Sequence, residues 1–257
     1  MKLQAQSLRF SYRGGREILA GLTLSAESPG VFTILGVNGA GKSTLLKCLA
    51  RQLRPDSGTV LLDGRPAGDF SSAGFAKKIA YIPQTHEQTF PFPVIEVVMM
   101  GRAAHLPRFA TPGARDREIA LEKLDFLGIG HLARAACTEI SGGERQLVML
   151  AAALAQEPEM LLLDEPTAHL DFGNQHRFLM VLERLVKGGM GVVMTSHFPD
   201  QALFLGGEVG VMAGGSFVFT GPAREAITTE RLTALYGLPV SVVELASGRR
   251  ICVPGLG

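Results

Sequence analysis

Tryptophan is absent from this 257-residue chain, tyrosine and cysteine occur three times each, and only 19% of the residues are charged. Each scarcity excludes something. Cys48, Cys137 and Cys252 are odd in number and far apart, which argues against a disulfide framework or a cysteine-built zinc site and fits reduced thiols. The histidines, at positions 86, 105, 131, 169, 176 and 197, offer no pair at ligand spacing on an expected helix, so no metal site made of protein ligands alone is expected. Charge is balanced as well as sparse. The 25 basic and 24 acidic residues leave a formal net charge of +1 and no global field to hold a phosphate backbone, so nucleic acid is not an expected partner. The longest unbroken apolar run, Leu147 to Ala155, is about half of the roughly 18–20 residues a helix needs to cross hydrocarbon. Met1 to Phe10 lacks a basic segment followed by an apolar stretch, does not read as a secretory signal, and leaves a cytosolic location as the expectation. What is abundant is apolar side chain, 46% of the residues, in a length sufficient to bury a core without staples as one large or two small domains.

Along the chain, short strand-like runs alternate with helical patterns, which predicts an α/β layer structure with a largely parallel sheet. The expected strands are Val31 to Leu35, Gly58 to Leu62, Ile79 to Ile82, Met160 to Leu163, Gly191 to Thr195, Val209 to Met212 and Phe217 to Thr220. Helices are expected over Lys42 to Ala50, Asn174 to Val186 and Glu230 to Tyr236. The second of these places Phe178, Val181, Leu182 and Leu185 on one buried stripe and stops at Gly188 and Gly189. Between the strands lies a helical block, Val94 to Met100, Ala114 to Leu127 and Gly142 to Ala155, with Gly128 as a stop for the middle helix. Neither an internal repeat nor a low-complexity linker is evident.

Three stretches carry chemistry. Gly36-Val37-Asn38-Gly39-Ala40-Gly41-Lys42-Ser43-Thr44 follows an expected strand and opens a helix, the context of a phosphate-binding loop. Its glycines let successive backbone N–H groups and the positive helix end converge on phosphate oxygens, Lys42 reaches the terminal phosphates, and the Ser43 hydroxyl suits Mg²⁺. Met160 to Leu163 is a buried strand that ends in Asp164 and Glu165, one carboxylate to support the Mg²⁺ shell and the next to orient an attacking water. Ile140-Ser141-Gly142-Gly143-Glu144-Arg145-Gln146 offers a second helix start that can approach an anion, yet Ser141 followed by Glu144 is equally the capping box of an ordinary buried helix.

Taken together, in this order, these residues resemble the ATP-binding subunits of ABC transporters over nearly the whole chain. Further stretches carry the same resemblance. Tyr81-Ile82-Pro83-Gln84 matches the segment whose glutamine, here Gln84, senses Mg²⁺ and the γ-phosphate, Ala168-His169-Leu170-Asp171 the D-loop, Thr195-Ser196-His197 the switch histidine, and Phe10-Ser11-Tyr12 the segment whose aromatic stacks on adenine. Ile140, Glu144 and His169 stand where leucine, glutamine and a small residue are commoner, and none of these departures removes a phosphate ligand.

The resemblance implies a P-loop NTPase (RecA-like) core with an N-terminal antiparallel β subdomain and an inserted α-helical subdomain. It divides the chain into a core with its β subdomain at 1–84 and 156–220, a helical subdomain at 85–155 and a C-terminal extension at 221–257. It also implies ATP and Mg²⁺ as ligands, Glu165, His197, Gln84 and Lys42 as catalytic groups, and Ser43, Gln84 and Asp164 at the metal. Tyr12, Gly36, Asn38, Gly39, Ala40, Gly41, Lys42, Ser43 and Thr44 would contact the nucleotide from one copy. Ser141, Gly142, Gly143, Glu144 and Asp171 would do so from the other, in a head-to-tail homodimer. Partners implied are two transmembrane permease subunits and, indirectly, a substrate-binding protein, which puts the chain at the cytoplasmic face of a membrane. The block from His86 to Gly101, with an apolar stretch from Phe90 to Met100, is expected to form the groove that receives the permease. Together with Gly101-Arg102-Ala103-Ala104-His105 and the tail Gly221 to Pro254, it looks most like the importer subfamily for iron chelates, haem, cobalamin and oxyanions such as molybdate. The other readings are a soluble P-loop kinase or GTPase, which would have no use for the Ser141 to Gly143 turn or the helical insertion, and a non-transport ABC-type ATPase, which would be expected to show a second cassette, a coiled-coil insertion or a basic surface.

Overall fold

Apolar runs without polar interruption become the middle of a parallel sheet. The computed structural model describes residues 1–13, 15–84, 91–107 and 109–255. In chain order its strands are β1 (Lys2–Ser11), β2 (Glu17–Glu27), β3 (Gly30–Leu35), β4 (Ser57–Leu62), β5 (Arg65–Pro66), β6 (Ile79–Ile82), β7 (Met160–Leu163), β8 (Gly191–Ser196), β9 (Glu208–Ala213), β10 (Ser216–Pro222), β11 (Val240–Glu244) and β12 (Arg250–Pro254). Its helices are α1 (Lys42–Leu49), α2 (Ser72–Ala76), α3 (Val94–Met100), α4 (Ala114–Phe126), α5 (Gly142–Ala155), α6 (Phe172–Lys187), α7 (Pro199–Leu205), α8 (Ala223–Ala226) and α9 (Thr229–Tyr236), with short 3₁₀ turns between some of them.

The larger sheet has the order β10-β9-β3-β8-β7-β6, parallel from β9 to β6, with β10 antiparallel at one edge. Because β7 and β8 are buried on both faces and β3 nearly so, each reads as a continuous apolar run rather than an alternating one. Their C-terminal ends lie side by side. The turn after β3, the carboxylates after β7 and His197 after β8 therefore share one edge of the sheet, where open α/β sheets bind ligands.

The smaller sheet, β2-β1-β4-β5, is antiparallel throughout, so the antiparallel β subdomain is present. Leu3, Ala5, Leu8 and Phe10 of β1 point into its core, and the register shifts between Ala5 and Leu8, where Ser7 adopts a φ of 50°. That bulge breaks the period-two alternation that would mark β1 in the sequence. Gly58 on β4 lies against it, at a φ of +84°, where a Cβ would press on the carbonyl oxygens of Gln6 and Ser7.

The helical block shares its core with the sheet. One cluster of buried side chains runs from Val94, Val97 and Val98 on α3 through Leu124 on α4 and Leu150 and Leu154 on α5 to Ile82, Leu163 and Met194 on the strands and Phe178 and Leu182 on α6. Most of the apolar stretch expected to line a groove therefore packs inward, and Phe92 and Met100 are its exposed large apolar residues among those described. Residues 85–90, including His86 and Phe90, lie outside the described residues. Gly101 and Arg102 have packing duties: a Cβ at 101 would run into the Ala152 carbonyl oxygen, and the buried Arg102 guanidinium bonds Ala155 O at 2.6 Å, Glu157 at 2.7 Å and Asp116 at 3.1 Å.

Helix α6 begins two residues earlier than its periodicity suggests, because Asp171 caps it, accepting from Asn174 N–H at 2.8 Å. On its stripe Phe178, Leu182 and Leu185 are buried with Leu179, while Val181 is only partly so. The tail forms a third cluster, in which Leu232 of α9 and Val240 of β11 pack with Ala226, Ile227, Ala202 of α7 and Leu35 of β3. No helix among the described residues is long and apolar enough to cross a membrane.

Candidate nucleotide site

The turn between β3 and α1 is built to expose backbone donors. Gly36 sits where a Cβ would lie 2.7 Å from Met212 O, and Gly39 and Gly41 hold φ of +78° and +102°, conformations that L side chains rarely adopt. Gly41 is the N-cap of α1 and supplies no side-chain cap, so the first-turn N–H groups keep their capacity for an anion. Lys42 folds back over this turn, donating from Nζ to Gly36 O at 2.8 Å and to Val37 O at 3.1 Å.

Ser43, in the first turn of α1, donates to Asp164 Oδ1 at 2.9 Å, and Thr195, on β8, donates to the same oxygen at 2.8 Å. Thr195 Oγ1 also accepts the Glu165 N–H at 2.7 Å, so one buried hydroxyl orders both carboxylate residues. Glu165 is held at a φ of 45°, a left-handed conformation uncommon for a non-glycine residue and found disproportionately at functional sites. The converging groups of Ser43 and Asp164 are hard oxygens that suit Mg²⁺. Nearby, the Tyr81 hydroxyl is buried, and burial together with the Asp164 carboxylate pushes its pKa well above the usual phenol range.

The Glu165 carboxylate is the hub. Its Oε1 lies 3.0 Å from Lys42 Nζ in an ion pair whose side chains are only 4% and 9% exposed. Its Oε2 accepts from Gln84 Nε2 at 3.4 Å and lies 3.2 Å from His197 Nδ1. Lysine, glutamine, histidine and two carboxylates from four separate segments thus meet over one phosphate-binding turn.

The family model described as ABC transporter matches residues 19–168, from β2 past both carboxylates. The chain belongs to the ABC transporter family. It is 38% identical to the hemin import ATP-binding protein HmuV of Nocardia farcinica, over 98% of this chain and 88% of that protein. It is 36% identical to the molybdate import ATP-binding protein MolC of Haemophilus influenzae, over 93% and 89% respectively. A solved ABC transporter described as metal-chelate type, in an inward-facing conformation, superposes at a TM-score of 0.87 with 32% identity, covering 99% of this chain and 97% of that one. The chain is accordingly an ABC ATP-binding subunit with the P-loop NTPase fold, and its activity is ATP hydrolysis.

The turn from Ser141 to Glu144 makes its own contacts, separate from those of the P-loop. Among the described residues no hydrogen bond or ion pair joins Ser141 to Glu144 with the P-loop, Asp164, Glu165 or His197. Instead both halves of the capping box form: Ser141 Oγ accepts from Glu144 N–H at 3.2 Å, and Glu144 Oε2 accepts from Ser141 N–H at 2.8 Å and from its hydroxyl at 2.7 Å. Those bonds from Ser141 hold the Glu144 carboxyl below its ordinary pKa. The turn abuts the start of α6, since a Cβ on Gly143 would meet the Asn174 side chain at 3.0 Å, and Asp171 binds Asn174 through both carboxylate oxygens. Tyr12 is 47% exposed, meets Phe10 edge to face at 4.9 Å, and its hydroxyl lies 3.4 Å from Thr44 Oγ1, so its ring stands at the P-loop rim.

Two polar residues of this region escape motif reading. Thr195 is visible in the sequence only as the residue two before His197. Buried Gln201 donates to Thr167 Oγ1 and accepts from Ser196 Oγ, each at 2.9 Å, tying the segment after the carboxylates to the segment before the histidine. A polar residue on the apolar side of a short helix was the available signal.

Proposed function

We propose that this chain powers an importer for an iron chelate, haem, cobalamin or an oxyanion such as molybdate, as a homodimer docked at the cytoplasmic face of a membrane beneath two permease subunits. The observation that carries the ATP-site part of this reading is the Lys42–Glu165–His197 cluster over an uncapped helix start. The hemin and molybdate import relatives and the metal-chelate type structure support the cargo class.

On this reading the N–H groups of Gly39 to Thr44 and Lys42 hold the β- and γ-phosphates, with Gly36, Asn38 and Ala40 shaping the turn and Tyr12 stacking on adenine. Ser43, Asp164 and Gln84 would hold Mg²⁺, which would supply neutralisation of the charge that develops on the phosphates. The phosphate oxygens take the place of Glu165 beside Lys42, and the freed carboxylate orients a water in line with the γ-phosphorus. As the water oxygen bonds to phosphorus, the bond to the bridging oxygen breaks, ADP leaves with that electron pair, and the water proton passes to Glu165 or a phosphate oxygen. His197 donates to the γ-phosphate and stabilises the transition state.

The signature turn completes the site from a second copy. Ser141, Gly142 and Gly143 face the other copy's nucleotide from a stretch, Ile140 to Gln146, that contains no lysine, and Asp171 reaches the same turn through Asn174. ATP bridges the two copies while ADP lacks the bridging γ-phosphate, so hydrolysis reopens the dimer and moves the permease. Residues 85–155 act as the lever between the two, and a substrate-binding protein delivers cargo on the far side. Co-purification tests the transport reading: a detergent-resistant complex with a polytopic subunit is expected, and association with ribosomes or DNA instead would contradict it.

A further inference from the structure

The tail beyond β10 is unused by the mechanism above, yet it reaches the switch histidine. Tyr236, in the last turn of α9, donates its hydroxyl to the backbone carbonyl of His197 at 2.8 Å. Among the described residues this is the only donor bonded to that carbonyl. We infer that Tyr236 is a positioning residue for ATP hydrolysis, through which the C-terminal extension fixes the backbone at His197 and so aims its imidazole. The inference rests on the proposed role of His197 at the γ-phosphate.

His197 is the first residue after β8, and its ring direction depends on the chain turn into α7. One side of that turn is held from within the core, where Phe198 N–H donates to Ser196 Oγ at 2.9 Å and Gln201 ties Ser196 to Thr167. The other side is held by the extension. Tyr236 grips residue 197, and β12 grips residue 200, where Asp200 Oδ1 accepts the Cys252 N–H at 2.9 Å. The tail can bear this load because it is anchored: Leu232 is fully buried, and Thr233 Oγ1 accepts the Val240 N–H at 3.2 Å, closing α9 onto β11. Burial, with Cys252 and Asp200 nearby, pushes the Tyr236 phenol well above its ordinary pKa, so it remains a donor throughout the physiological range. With the carbonyl held, His197 Nδ1 stays 3.2 Å from Glu165 Oε2 and its ring 4.0 Å from that of Phe198. A small backbone rotation at residue 197 would swing the ring away from the γ-phosphate position without disturbing the P-loop.

The test is a double-mutant cycle on the full chain, with Tyr236→Phe, His197→Ala and the double variant assayed for steady-state ATP hydrolysis. Tyr236→Phe is expected to lower kcat roughly three- to tenfold, the scale of one uncharged hydrogen bond, and to leave KM for ATP within about twofold. In the His197→Ala background the same substitution is expected to change nothing further. An equal loss in both backgrounds, or no loss in the wild-type background, overturns the positioning role. His197→Ala turning over at the wild-type rate overturns the reading of His197 itself, a failure distinct from that of Tyr236 alone. Amide hydrogen exchange of Tyr236→Phe supplies a readout independent of turnover. Faster exchange confined to residues 197–201 supports the inference, and unchanged exchange there overturns it.

Discussion

Lys42 Nζ lies 3.0 Å from Glu165 Oε1, with both side chains nearly buried. The P-loop cation is thus ion-paired to the carboxylate proposed above to orient water. On the proposed reading nucleotide displaces this ion partner as it binds, and the displacement frees the carboxylate.

Glu165→Gln removes that rival while keeping the shape. ATP is expected to bind up to about tenfold tighter, because the phosphates no longer compete with an anion for Lys42. Turnover is expected to fall by at least ~100-fold with the loss of the water-orienting base. Calorimetric titration and phosphate release measure the two effects, and a kcat near wild type would exclude Glu165 from the chemistry.

Ser141→Arg places a bulky cation on the proposed signature turn, which among the described residues shares no hydrogen bond or ion pair with the same chain's P-loop. It is expected to hydrolyse ATP poorly alone, as is Lys42→Ala. Mixing the two should restore about a quarter of wild-type turnover, because random pairing in a two-fold dimer makes half the pairs mixed, each with one intact composite site. Absence of any recovery, with both chains folded, contradicts a site shared between copies.

Arg102 staples the helical block, and its loss is a matter of stability rather than chemistry. Arg102→Ala is expected to cost about 2 kcal/mol through the lost bond to Ala155 O and the buried stem. The pH dependence has a definite sign. The Gly113 N–H and then Arg102 hold Asp116 below its ordinary pKa, and Arg102 does the same for Glu157. Their contribution is therefore complete above the unfolded carboxylate range of about 4 and is lost as pH falls through the lower folded values. Melting temperatures between neutral and strongly acid pH should fall more steeply for wild type than for Arg102→Ala.

Much of this was legible in the residues because buried parallel strands and phosphate turns are local patterns. β3, β7 and β8 announce themselves as apolar runs, the P-loop by its glycines and lysine, and the capping box by Ser141 and Glu144. The bulge at Ser7 hides β1, since one extra residue reverses the face of every side chain beyond it. Helix α7 is too short to show a period, and the β11–β12 hairpin carries exposed valines on a polar background. The pairing of Lys42 with Glu165, the bridging by Thr195 and the reach of Tyr236 to His197 join residues far apart in the chain. No spacing rule exposes such contacts, because they follow from which strands lie side by side.

The composite, ATP-closed dimer is the centre of the account, and the mass of Glu165→Gln in solution tests it most directly. With saturating ATP and Mg²⁺, light scattering is expected to report twice the 27.4 kDa of one chain, returning to a single chain when Ser141→Arg is added to the same molecule. A Glu165→Gln protein that binds ATP to saturation and still scatters as a monomer would contradict it.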